Sequence, residues 1–382
     1  MLTKVRFNNF KSFIEETIID LKSSKLEILN DTNVYDGVLK GCCFYGANAS
    51  GKTNALSAIL VLPDMLVGTG INVNALFTLF NKEKIMYFEY TFQFDKDEIV
   101  YYFEIDRKGV IVKETLKLNE EEVLTRIGES ANTILTETGN FNFTKVDKHI
   151  LFLRVINFNY GFPNYSAIEK MFKYVSDSIY INPINDFFKV VGFNNENRQM
   201  SLYTYLDKNG DKEINNFFEE YNFPYRIQYE KPQAGNDIIL SNDRKLSFIR
   251  GNMSPIPFAL ESNGNVILMN MLPYFLTVVK NNSFIAIDEF SSGLHNKLEE
   301  LLIKYVNTHS TSCQIFFVSH STNLLKTSLL RPDQIYSVDF NEKGSFIKKF
   351  SDEHPRESQN LEKMYLSGVF GGIPLYNEPK NK

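Results

Sequence analysis

Eight residues, Gly46-Ala47-Asn48-Ala49-Ser50-Gly51-Lys52-Thr53, constrain what this chain can fold into more than any other stretch. They match the phosphate-loop pattern GxxxxGK[ST], and they lie between a short apolar run, Cys42-Cys43-Phe44, and a segment of helix formers, Asn54–Leu60, that ends near Pro63. Strand, glycine loop and helix in that order make a cradle. Backbone N–H groups of the loop, with Gly46, Asn48, Ser50 and Gly51, can surround phosphates at a helix N-terminus. Lys52 can reach the β- and γ-phosphates, and Thr53 can ligate Mg²⁺. The expected ligands are therefore ATP and Mg²⁺.

Three further segments carry chemistry that this loop would need. Ser283–Glu289 is an apolar strand ending in two carboxylates, which predicts Asp288 on the metal side and Glu289 as the general base for water. Ile315–His320 is a second buried strand with a histidine at its tip, 320 − 289 = 31 residues after Glu289. Leu260–Asn265, just before an apolar helix, reads as an N-cap built on Ser262 or Asn263 with Gly264 easing the turn. The same residues also read as a loop that binds phosphate through a serine and backbone N–H groups. Both readings can hold together.

Between and around these motifs the pattern is mixed. Leu2–Phe7 and Thr17–Leu21 alternate as half-buried strands, and Lys84–Leu118 reads as an antiparallel meander turning at Asp95-Lys96-Asp97. Ser166–Tyr229 reads as mainly helical, with no heptad seam. A strand-like Asp237–Arg250 follows. The chain then returns to helix Gly264–Lys280, strand Ser283–Ile287, helix His295–Thr308, strand Gln314–Ser319 and helix Ser321–Ser328.

Composition narrows the partners. Lys and Arg number 41 against 46 Asp and Glu, a net charge of −5, so no global basic field holds nucleic acid or an anionic membrane, and any nucleic-acid contact must use a local patch. The three cysteines, Cys42, Cys43 and Cys313, form no CxxC pair and fit a reducing cytosol. The most apolar window, Val266–Val279, is interrupted by Asn270 and Pro273, so no membrane span or signal peptide is expected and the location is cytoplasmic.

The four motifs stand in the order found in ABC-type ATPases, and 262 − 53 = 209 residues separate Thr53 from Ser262. That arrangement is similar to the SMC/RecF-like branch. Phe7–Phe13, the Gly46–Thr53 loop, Pro257–Ser262 and the ending Leu361–Pro374 together resemble bacterial AAA/ABC-type ATPases of the RloA and abortive-infection AbiL type. The resemblance implies an α/β, ABC/SMC-like P-loop fold split by an inserted, mostly helical lobe. Residues 1–84 would form the N-terminal half, with the meander continuing to about 118. The lobe would take 119–245, and 246–382 would be the C-terminal half with signature, Walker B and switch histidine. It implies a head-to-head dimer, or a higher homo-oligomer, with each site completed by Ser262 and Gly264 of the partner. It implies His320 as the γ-phosphate sensor and anti-phage defence alongside a separately encoded nuclease or RloB-like effector; Gln93, 93 − 53 = 40 positions after Thr53, fits either the Q-loop residue near the metal or a mid-strand position.

Two departures accompany the likeness. Relatives carry Thr and a basic residue after the signature glycine, where this chain has Asn265 and Val266, pointing to slow or partner-triggered hydrolysis. The segment Ser291–His295 takes the D-loop position, where Gly293 predicts a looser turn. An alternative is a RecF-like repair ATPase clamping DNA. Only 382 − 320 = 62 residues follow His320, which leaves no room for a fused nuclease.

Overall fold

The computed structural model describes residues 1–68, 72–80, 82–137, 139–183, 189–231 and 244–373. Its period-two segments pair into an eight-stranded antiparallel sheet, in the order Gly139–Phe143, Ser130–Thr136, Glu121–Ile127, Ile111–Leu118, Asp97–Asp106, Ile85–Phe94, Leu2–Asn8, Thr17–Asp20. Alternation places Phe7, Phe88, Tyr90, Phe92, Tyr101 and Phe103 in the core, while Arg6 pairs with Glu89 on the outer face at 2.7 Å. The meander runs further than expected. Residues 121–143, assigned by sequence to the helical lobe, hold three more strands, the first launched by a two-residue turn with positive φ at both Asn119 and Glu120.

The second sheet has seven strands: Lys189–Gly192, Ile179–Asn182, Phe284–Ile287, Gln314–Val318, Gly41–Gly46, Ile335–Asn341 and Gly344–Lys349. The inner five are parallel and the two edges antiparallel. Ile179–Asn182 corrects the expected boundaries a second time, because a strand from inside the proposed lobe lies directly beside the Walker B strand. Of the strand-like Asp237–Arg250, residues 237–243 lie outside the described residues, as do Pro374 and the tail beyond it; Lys245–Ile249 is a strand. The expected helix Ser321–Ser328 is only a 3₁₀ turn, Thr322–Leu324.

Residues of the central strands alternate between two cores. Cys42 and Phe44 face the antiparallel sheet, whereas Cys43 and Tyr45 face the helices Asn263–Asn281 and Asn296–His309. The P-loop helix, Lys52–Leu66, lies in the first core and buries Ala55, Leu56, Ala58, Ile59, Val61, Leu62 and Leu66. Apolar residues all round a helix are what burial between two sheets requires. It passes through Pro63, where it was expected to end, and closes with Val67 N–H on the Pro63 carbonyl at 3.0 Å.

Buried polar groups tie the layers. Gln314, at the start of its strand, donates to the carbonyls of Leu2 (2.9 Å) and Leu39 (2.8 Å) and accepts from Leu2 N–H (2.9 Å), joining the two sheets. Glu114 accepts from the N–H groups of Phe152 (2.7 Å) and Leu153 (2.8 Å), which begin the helix Phe152–Asn159. Arg126 lies 3.7 Å from Glu114, and both side chains are fully buried.

Candidate functional site at the ends of the parallel strands

The carboxyl ends of four parallel strands converge, as they must in an α/β sheet whose helices return the chain to the opposite edge. There the strand Gly41–Gly46 delivers the P-loop, Ile179–Asn182 delivers Asn182, Phe284–Ile287 delivers Asp288 and Glu289, and Gln314–Val318 delivers His320. Thr53 Oγ1 donates to Asp288 Oδ1 at 3.0 Å, and Asn182 Nδ2 donates to Asp288 Oδ2 at 3.3 Å. The Asp288 N–H is held by the Ile181 carbonyl at 2.9 Å. Burial pushes the Asp288 carboxyl upward; the Thr53 hydroxyl opposes this, and the charge of Glu289 adds to it.

The loop is shaped by its backbone. Ala49 (φ 64°) and Gly51 (φ 111°) are left-handed, and a Cβ added to Gly51 would run into Ser345 Oγ and come within 2.8 Å of Ser12 Oγ. Ser345 Oγ donates to the Ser50 carbonyl at 2.6 Å, and Asn54 Nδ2 donates to Ser12 Oγ at 2.8 Å. Asn48 is exposed, whereas Ser50 is buried and its Oγ has no hydrogen-bond partner among the described residues. Lys52 Nζ donates to the carbonyls of Gly46 (3.1 Å) and Ala47 (2.8 Å), and burial lowers its pKa against the pull of Glu289 and Asp288. A cationic amine, an orphan hydroxyl and a glycine that only hydrogen fits suit a polyphosphate. The Thr53 hydroxyl and Asp288 carboxylate are hard oxygen donors that suit Mg²⁺.

Glu289 sits at φ 55°, an uncommon conformation for a residue with a Cβ, and its Oε2 lies 3.6 Å from His320 Nε2. Burial lowers the His320 pKa, the Lys52 charge lowers it further and Glu289 opposes both, so the imidazole is neutral near pH 7. His320 N–H in turn donates to Ser291 Oγ at 3.3 Å.

Sequence reasoning placed Gln93 at this site, and the structure places it elsewhere. Its strand runs so that Gln93 pairs with the chain start: the Gln93 N–H donates to the Met1 carbonyl at 2.9 Å and its side chain donates to the Asp95 carbonyl at 3.1 Å. It shares a cavity with Asn281, Asn282 and Ser312, at the amino ends of the parallel strands. Asn182 occupies the position beside Asp288 instead. Lys11 was also missed as a site residue. It has φ 49°, its N–H bonds the Leu76 carbonyl at 2.6 Å, and its ammonium, whose pKa burial lowers, is attracted by Asp288 and Asp64.

Ser262 is the N-cap of the helix Asn263–Asn281, accepting from Asn265 N–H at 3.4 Å. Gly264 packs against the Gly293 carbonyl. Gly293 has φ 81°, and a Cβ there would meet the tip of the Ile267 side chain. Among the described residues, no hydrogen bond or ion pair joins Ser262, Gly264 or Asn265 to Gly46–Thr53.

The fold, with a phosphate loop at its sheet edge, resembles that of SMC head domains. An SMC head domain from Thermotoga maritima matches at a TM-score of 0.51 and 15% identity over 91% of this chain and 98% of that one. An SmcHead bound to the C-winged helix domain of ScpA matches at a TM-score of 0.50 and 13% identity over 91% of this chain and 97% of that one. The chain belongs to the family described as "AAA domain, putative AbiEii toxin, Type IV TA system", which matches residues 42–326. An ATP-binding P-loop follows from that membership. A search of curated proteins finds no match. No described helix is long and apolar enough to cross a membrane.

Proposed function

We propose that this chain hydrolyses ATP as a head-to-head homodimer and serves as the regulatory ATPase of an anti-phage, abortive-infection system acting on a separately encoded effector. The observation that carries the catalytic part is the chain Thr53–Asp288–Asn182, with Glu289 and His320 beside it at the same sheet edge. The defence role is supported by the family description and by the likeness of both chain ends to RloA- and AbiL-type ATPases.

ATP with Mg²⁺ supplies the γ-phosphoryl group and the charge that stabilises its transfer. The loop N–H groups, Ser50 and Lys52 would hold phosphate oxygens, and Thr53 and Asp288 would hold the metal. Glu289 accepts the proton of the attacking water through its carboxylate. His320, as the neutral imidazole, would donate one ring N–H toward the γ-phosphate oxygens from its place beside Glu289. Ser262 and Gly264, unconnected to their own P-loop, close the site of the partner subunit.

The test compares wild type with Glu289→Gln for ATP turnover and for mass in solution with and without Mg-ATP. The variant should lose turnover and hold an ATP-dependent dimer. A wild type that neither hydrolyses ATP nor changes mass would refute the reading.

A further inference from the structure

Asn265, which with Val266 departs from the resembled family's signature pattern, is tied into a side-chain network. Its Nδ2 donates to Glu261 Oε2 at 2.7 Å, and its Oδ1 accepts from the Tyr225 hydroxyl at 3.0 Å. The same Glu261 Oε2 accepts from Ser262 N–H at 3.3 Å. Arg250 Nη2 donates to Glu261 Oε2 at 3.0 Å, and its Nη1 forms an ion pair with Oε1 at 2.7 Å. The Arg250 guanidinium also lies over the rings of Tyr225 (5.4 Å) and Phe248 (5.9 Å). Asn265 thus gives to Glu261 through its amide nitrogen and accepts from Tyr225 through its amide oxygen, which a side chain without an acceptor could not do.

Arg250 and Tyr225 belong to one end of a small sheet, Arg226–Glu230, Lys245–Ile249 and Ile256–Pro257, where Arg226 pairs with Ile249. Burial would raise the Glu261 carboxyl, but hydrogen bonds from Arg250 and Asn265 bring it below the usual range, so the fork remains charged on both sides. The Glu261 side chain is 3% exposed, which leaves it little freedom without Arg250.

We propose that Arg250 is a positioning residue for the composite ATP site: through Glu261 it fixes Ser262 and Asn265 in the geometry with which this subunit completes its partner's site. The proposal rests on the head-to-head reading above. It assigns the three-stranded sheet a job, that of holding the signature loop, and it explains Asn265 as part of the holding rather than as a lost phosphate ligand.

The experiment uses full-length wild type, Arg250→Ala, Arg250→Lys and Lys52→Ala. Arg250→Ala should bind a fluorescent ATP analogue within about twofold of wild type yet turn over at least about tenfold more slowly, with Arg250→Lys between them because it keeps charge without the fork. Mixed in equal amounts, Arg250→Ala and Lys52→Ala should regain up to about a quarter of the wild-type rate, because half the dimers carry one site joining an intact P-loop to an intact signature. Wild-type turnover by Arg250→Ala would overturn the proposal. So would loss of analogue binding with no recovery on mixing, which would make Arg250 a folding residue. If wild type itself shows no ATP-driven mass change, the composite-site reading fails, and this inference with it; a dimerising wild type and an unaffected Arg250→Ala would sink this inference alone.

Discussion

The hydroxyl of Thr53 and the carboxylate of Asp288 meet at 3.0 Å across 235 residues of chain. The bond joins the first turn of the P-loop helix to the tip of the Walker B strand, and its two oxygens are where a hard cation would be held. Asp288→Asn keeps the shape and removes the charge. Half-saturation by Mg²⁺ should rise by about tenfold or more, measured as ATP turnover against Mg²⁺ concentration. An unchanged Mg²⁺ curve would remove Asp288 from the metal role.

Asn182 and Gln93 make a paired comparison. Asn182→Ala removes the donor to Asp288 Oδ2 and should lower turnover by about tenfold, while Gln93→Ala, at the other end of the strands, should leave it within about twofold. The reverse ranking in a steady-state assay would restore the sequence-based expectation.

Glu299 supplies a pH signature. It is fully buried on the helix Asn296–His309, and burial pushes its acid up to about 7, against the pull of the Ser321 hydroxyl. The folded chain therefore holds this proton more tightly than the unfolded chain does. Its stabilising contribution is complete below the ordinary glutamate range and is lost as pH rises through about 7, a change on the order of 3 kcal/mol. Urea unfolding at pH 5 and pH 8 should show a smaller loss for Glu299→Gln than for wild type. Equal losses would show that the carboxyl is not the group responsible.

Glu114→Ala leaves the Arg126 guanidinium buried without its carboxylate and uncaps the helix Phe152–Asn159. Breaking such a pair should cost about 3–5 kcal/mol in urea unfolding. A cost under about 1 kcal/mol would mean that the carbonyls of Gly128, Asp147 and Ile150, which already accept from Arg126, suffice.

The candidate site residues were legible in the sequence because their spacing is local: GxxxxGK[ST] fixes a loop, and an apolar run ending in Asp288-Glu289 fixes a strand tip. Residues defined by sheet order were not. Ile179–Asn182 is four residues long, too short for a period, and nothing local says that it pairs with Phe284–Ile287. The counting rule that chose Gln93 measured distance along the chain, whereas strand direction put it at the wrong end. The Asn119-Glu120 turn lacked the glycine that would have marked a hairpin, so the meander seemed to stop there. Asn265 read as a defect because its partners, Glu261 and Tyr225, become neighbours only in the fold.

The Gly41–Gly46 strand pairs on one side with Gln314–Val318 and on the other with Ile335–Asn341. Gly41 and Ile315 are thus register partners 315 − 41 = 274 residues apart. At about 5–20 residues per second, a ribosome would expose the P-loop strand for roughly 14–55 s before either neighbour is made. No fragment that stops short of Gln314 can dock that strand against this neighbour, so the site is built only after the Gln314–Val318 strand has been made. A chain cut between the two strands would carry the phosphate loop without the neighbour that shapes it.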